Sequence, residues 1–131
     1  MSIFTRIMKG ELPSYKIYEN EHVFAFLSID PIQPGHTLVV PRTEINHFSD
    51  VPEPEYQAVF AAAKPLSRAI QAASGCKRVG MAVVGLEVPH FHLHLIPLFG
   101  AEDLDFRKAR RISEEEMKSM QVKITGKLRL I

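Results

Sequence analysis

Tryptophan is absent from the 131 residues, and cysteine occurs once, at Cys76. A single thiol excludes an intramolecular disulfide framework and a cysteine-rich zinc module, and it reads as an inert buried group. Charge of one sign is missing too, since 16 Lys and Arg face 15 Asp and Glu for a formal net charge of +1. Without a basic tract, the chain is a poor candidate for gripping nucleic acid or an anionic membrane by charge. No apolar run approaches the roughly 20 residues that cross a bilayer. The opening Met1-Ser2-Ile3-Phe4-Thr5-Arg6 lacks the build of a secretory signal. Repeats and Gly/Ser linkers are missing, and the nine prolines are scattered. The expectation is one domain over 1–131, soluble, in a reducing compartment such as the cytoplasm, with neither nucleic acid nor membrane as partner.

What is present is 46% apolar sequence cut into short segments. Ile3, Phe4, Ile7 and Met8 recur at helical intervals before Gly10, predicting a short first helix. Tyr15–Tyr18 and His22–Leu27 read as strands around Glu19-Asn20-Glu21, and His36–Val40 as a third strand closed by Pro41. The loop between, Asp30-Pro31-Ile32-Gln33-Pro34-Gly35, is set by proline and glycine. Asp50 is placed to cap a helix that starts at or just after Pro52, buries Val59, Ala63, Leu66 and Ile70, and stops at Gly75. Pro65 within it costs roughly 3 kcal/mol and predicts a kink unless packing offsets it. Val79–Val84 and Phe91–Leu98 complete five strands, and Ser113 with Glu116 makes a capping box for a last helix presenting Met117 and Met120. The fold class is α+β, an antiparallel sheet with one main helix and short helices near each end, residues 101–131 forming a C-terminal extension.

Residues 89–97 read Pro-His-Phe-His-Leu-His-Leu-Ile-Pro. On a strand, side chains alternate, so His90, His92 and His94 are expected on one face at about 7 Å spacing, with Phe91, Leu93 and Leu95 in the core. Two chemistries suit such a row. A His-x-His pair holds zinc if a third ligand such as His36 arrives, but Zn–N bonds near ~2.0–2.1 Å leave one strand histidine unused. Alternatively, the central imidazole is a nucleophile toward phosphorus, its tautomer fixed by a hydrogen bond at its other nitrogen, while its neighbours address phosphate oxygens and the leaving group. That reading employs all three.

His90-Phe91-His92-Leu93-His94-Leu95-Ile96 resembles the His-φ-His-φ-His-φ-φ signature of the histidine triad (HIT) family, φ being apolar. Ile3-Phe4 through Gly10-Glu11-Leu12-Pro13, Val23–Phe26 and Pro34-Gly35-His36 through Pro41 follow the order of its Hint-like branch, so the likeness spans about three quarters of the chain. The resemblance implies a HIT-like fold, a homodimer, and a nucleotide-binding hydrolase or transferase. It would act without a metal or other cofactor, cleaving at the α-phosphate of purine nucleoside phosphoramidates through a nucleotidyl-histidine.

His92 matches the nucleophile, His94 and His90 the flanking members that orient it and contact phosphate, and His36 the further histidine of that site. Phe26, Leu27 and Ile29 match the stretch that holds the base, and Ser28 stands where relatives place an aspartate for the ribose. Leu86 replaces a glutamine that reaches the phosphate, and no asparagine stands on the preceding strand. Ser2 and Thr5 stand where some relatives use cysteines for structural zinc. Glu87 and Val88 border the site, with Glu87 expected to turn from an anionic substrate. Leu86 and Ser28 favour the rival reading of a nucleotide-binding scaffold with vestigial activity. His22 and His47, and the basic stretch Arg107–Arg111, are expected to be solvated.

Overall fold

A computed structural model describes residues 1–129, with five strands and three helices among them. The first helix, α1 (Ile3–Met8), begins at Ser2, whose hydroxyl accepts the Thr5 N–H. The main helix, α2 (Glu53–Ser74), starts after Pro52. Asp50 does not cap it, because Asp50 closes a separate 3-10 turn over Phe48–Asp50. Proline needs no N–H donor at a helix start, and Glu53 and Glu55 supply favourable negative charge there. Gly75 ends α2 in the left-handed region at φ 72°, its N–H returning to the Gln71 carbonyl. The helix runs unbroken through Pro65, held by the buried Ala62, Ala63, Leu66, Ala69 and Ile70 around it. The last helix, α3 (Glu114–Leu128), is capped by the Ser113 hydroxyl on the Glu116 N–H, as the sequence predicts.

Strands β1 (Lys16–Glu19), β2 (Val23–Leu27), β3 (Thr37–Pro41), β4 (Arg78–Ala82) and β5 (Leu93–Leu98) form one sheet in the order β1-β2-β3-β5-β4, antiparallel throughout. Both faces of its centre are covered, which explains why β2 and β3 are buried at every position instead of alternating. Val23, Ala25, Leu27, Val39, Leu93 and Leu95 face α2 and form the main core with Leu66 and Ile70. Each such side chain, fully buried, contributes on the order of 1.5–3 kcal/mol. Met117 and Ile124 of α3 enter that same core. On the opposite face Phe24, Phe26, Leu38 and Val40 pack against Phe4 of α1.

Two strand limits differ from expectation by two residues, the others by at most one. Val83 and Val84 fall beyond β4 and are exposed. More consequential, β5 starts at Leu93 and not at Phe91. The Phe91 N–H bonds the Ile45 carbonyl and the His90 N–H bonds Val88, so neither enters a strand ladder. His90 and His92 therefore precede the strand but keep its alternation, since Phe91, Leu93 and Leu95 enter the main core while Phe4 packs on His90 and His92 from the other face.

Candidate active site

His36 lies just before β3 and His94 on β5, where His94 is paired across the sheet with Leu38. His36 and Leu38 project from the same face of the β3 segment, and this brings the two imidazoles together. Their ring centroids are 5.2 Å apart, and His36 Nε2 lies 2.9 Å from His94 Nδ1. His92 follows, with its ring centroid 4.8 Å from that of His94. His90 turns away. It is fully buried, with Nε2 2.8 Å from the Pro41 carbonyl and Nδ1 2.7 Å from the Ser2 hydroxyl. Both nitrogens are thus engaged by protein, which corrects the expectation that His90 contacts phosphate.

The hydrogen bonds assign each proton. The Ile32 N–H donates to His36 Nδ1 at 3.1 Å, so neutral His36 carries its hydrogen on Nε2 and donates it to His94 Nδ1. His94 must then bear its hydrogen on Nε2. The Pro41 carbonyl only accepts, so His90 donates from Nε2 and receives the Ser2 O–H at Nδ1. The His90 carbonyl in turn accepts from His92 Nδ1–H at 2.8 Å, which leaves a lone pair on His92 Nε2. Among the described residues no buried side-chain nitrogen or oxygen lacks a partner, so the Nε2 atoms of His92 and His94 reach the surface. The arrangement presents a nucleophilic lone pair beside an N–H donor.

Burial favours this neutral set. Desolvation, and then the neighbouring His92, lower the His36 pKa to about 4. Desolvation, helped by His36 and His92, lowers His94 to about 3. Desolvation likewise lowers His92 and His90, partly opposed by their carbonyl partners at His90 and Pro41. An unprotonated ring is what nucleophilic attack requires.

The remaining candidates divide. Phe26 lies on the histidine face, with its ring 5.5 Å from Phe4, itself 4.9 Å from His92. Leu27 points the other way, 1% exposed in the main core, so it cannot touch a base in this arrangement. Ser28 bonds the His36 carbonyl through its N–H, and Ile29 is exposed. Glu87 and Val88 border a cleft of about 310 Å³ beside Met1–Ile3 and Glu44, and Glu87 is exposed. Leu86 is 90% exposed. His22 is half-buried at the surface and His47 exposed, while Arg107 and Arg111 pair with Asp105 and Asp30.

The sequence reading missed Phe106. Its ring stands edge-on to His94 at 4.9 Å and to His36 at 6.2 Å. Its segment is pinned by Asp103, whose carboxylate accepts from Gln33 and from the N–H groups of Phe99 and Gly100. An aromatic ring beside the charges of Arg107 and Lys108 was the available signal. It also missed Ser2 as the partner of His90.

The HIT domain family model matches residues 9–101. The chain is 36% identical over 108 residues to the protein hit of Bacillus subtilis, covering 77% of this chain and 73% of that one. It is 28% identical over 130 residues to the adenosine 5'-monophosphoramidase of Saccharomyces cerevisiae, covering 91% and 82% of the two chains. A zinc-bound histidine triad family protein from Mycobacterium smegmatis superposes with a TM-score of 0.85 at 26% identity, covering 98% and 93%. In this chain Ser2 and Thr5 offer hydroxyls rather than thiolates and the Ser2 O–H occupies His90 Nδ1, so the N-terminal residues do not suit zinc. Nor does His36 offer a free lone pair, since Nδ1 accepts from Ile32 and Nε2–H donates to His94. By its triad, its sheet and its matches, the chain belongs to the HIT family.

Proposed function

We propose that this protein is a phosphoramidase-like nucleotide hydrolase or nucleotidyl transferase of the Hint-like branch, acting at the α-phosphorus of a purine nucleoside phosphoramidate or related conjugate. The observation that carries the reading is the tautomer set, with a lone pair on His92 Nε2 next to an N–H on His94 Nε2. The phosphoramidase named among the relatives supports the substrate class.

In the first step His92 Nε2 bonds to phosphorus as the bond from phosphorus to the leaving nitrogen breaks. That nitrogen leaves as the amine with a proton drawn from solvent, while neutral His94 holds it by a hydrogen bond from Nε2–H. In the second step water attacks phosphorus, frees His92 and returns one proton to solvent, releasing the nucleoside monophosphate. No metal or organic cofactor enters either step. Positioning and a preset tautomer supply the catalysis, with phosphate oxygens received by His94 and the base by the surface around Phe26 and Ile29.

Pairing into a homodimer is supported by β4, an open sheet edge followed by exposed Val83, Val84 and Leu86, with Met81 exposed on the strand itself. We take residues 1–131 as one domain in which the C-terminal extension packs through α3. We place the enzyme in the cytoplasm with no membrane partner; among the described residues no helix is long and apolar enough to cross a membrane. The test is release of AMP from adenosine 5'-phosphoramidate. The parent protein turns it over, and His92→Ala loses activity by several orders of magnitude while still binding AMP. Tight AMP binding without turnover by the parent protein would favour the scaffold reading instead.

A further inference from the structure

A chain of hydrogen bonds runs from the surface to His92 through His90 and three residues outside the triad. Glu44, in the segment after β3, accepts from the Ser2 N–H and, at 2.8 Å, from the Thr5 hydroxyl. The Thr5 N–H donates to the Ser2 hydroxyl oxygen at 3.1 Å, and the Ser2 O–H points to His90 Nδ1. His90 Nε2–H is then committed to the Pro41 carbonyl, and the His90 carbonyl receives His92 Nδ1–H. His90 lies outside any strand ladder, so these side-chain bonds and its N–H bond to Val88 are what fix it.

From this geometry we infer that Ser2, locked by Glu44 and Thr5, is a positioning residue for the nucleophile: it orients His90, whose carbonyl sets the His92 tautomer. The inference deepens the function proposed above and rests on it only for the activity readout. The ring of His90 is 0% exposed, so a lost partner at Nδ1 is not made good by bulk water. Without the Ser2 hydroxyl the ring must shift or rotate to satisfy that nitrogen. A turn about Cβ–Cγ alone breaks the Nε2–H bond to the Pro41 carbonyl, whereas a shift pulls on the residue's main chain and moves its carbonyl relative to His92 Nδ1. His92 then exchanges its hydrogen between the two nitrogens, and the population with a lone pair on Nε2 falls. Phe4, next to Ser2 in α1, packs its ring 5.6 Å from His90 and 4.9 Å from His92, which places α1 against both rings.

Ser2→Ala, Ser2→Thr and Glu44→Ala proteins, full length, are compared with the parent by nitrogen-15 correlation spectra of the histidine rings and by steady-state kinetics on adenosine 5'-phosphoramidate. In the parent, His92 is the Nδ1–H tautomer. In Ser2→Ala it becomes a mixture, and kcat falls by about ten- to a hundredfold while KM holds. Ser2→Thr keeps the hydroxyl and restores both, which a packing role for the serine side chain does not predict. Glu44→Ala, a change at an exposed side chain, shifts both readouts in the same direction by less. A folded Ser2→Ala protein with the parental His92 tautomer and parental kcat overturns the proposal. Should Ser2→Ala not fold, a parental tautomer in Glu44→Ala overturns it. If the parent lacks phosphoramidase activity, the function above fails, and the tautomer comparison still decides the role of Ser2.

Discussion

Replacing His36 by alanine separates what this residue does for His94 from what it does for stability. His36 is 2% exposed and makes two bonds, one to the Ile32 N–H and one to His94 Nδ1. Losing the second removes about 0.5–1.5 kcal/mol that favours hydrogen on His94 Nε2. Because about 1.4 kcal/mol is a factor of about ten in rate, departure of the leaving nitrogen should slow by roughly tenfold at most. The effect should depend on the leaving group. A phosphoramidate of an alkylamine needs the hydrogen bond from His94 and should lose most of that factor, whereas one with a weakly basic aromatic amine should lose little. Steady-state kcat for the two substrates, with parent and variant side by side, reads this difference. The Ile32 N–H is also orphaned, at about 1–3 kcal/mol, so the thermal midpoint should drop by roughly 5–10 °C. Equal loss for both leaving groups, or none, would refute the assignment of His36 as the group that sets the His94 proton.

Stability should rise with pH between about 4 and 6.5. His36 and His94 have folded-state pKa values lowered to about 4 and about 3, so over that window the unfolded chain binds more protons than the folded one. The slope is up to roughly 1.4 kcal/mol per pH unit for each ring, and urea midpoints across the window should flatten in His36→Ala. Leu27→Ala should cost about 2–5 kcal/mol of stability and leave base preference unchanged, since Leu27 faces α2, and a changed ratio of adenine to guanine turnover would contradict that placement. Met81→Lys with Val84→Lys should yield monomers by sedimentation if β4 is the dimer edge, and an unaltered mass would remove that edge from the account.

Much of this was legible in the sequence because its signals are local. Gly75 and Ser113 end and begin helices by their own chemistry, and apolar spacing marked the buried face of α2. The proximity of His36 to the triad followed from resemblance, not from spacing. Spacing placed the three histidines on the face opposite Phe91, Leu93 and Leu95, as found, but started the strand two residues too early. Here the Ile45 carbonyl takes the Phe91 N–H, a partner 46 residues away that no local pattern encodes. Leu27 shows the same limit: matching the family stretch gave a position, and only the pairing of β2 with β3 decides which face it takes. The tautomers depend on Ile32, Pro41 and Ser2, which carry no catalytic signature of their own.

Rapid quenching of the enzyme with substrate at alkaline pH, followed by peptide mass spectrometry and phosphorus NMR, looks directly at the bond on which the mechanism turns. A nucleoside monophosphate joined to Nε2 of His92, formed and lost at rates that match turnover, is the predicted result. Phosphorus on Nδ1, on another residue, or on no residue of an actively turning-over enzyme would contradict it.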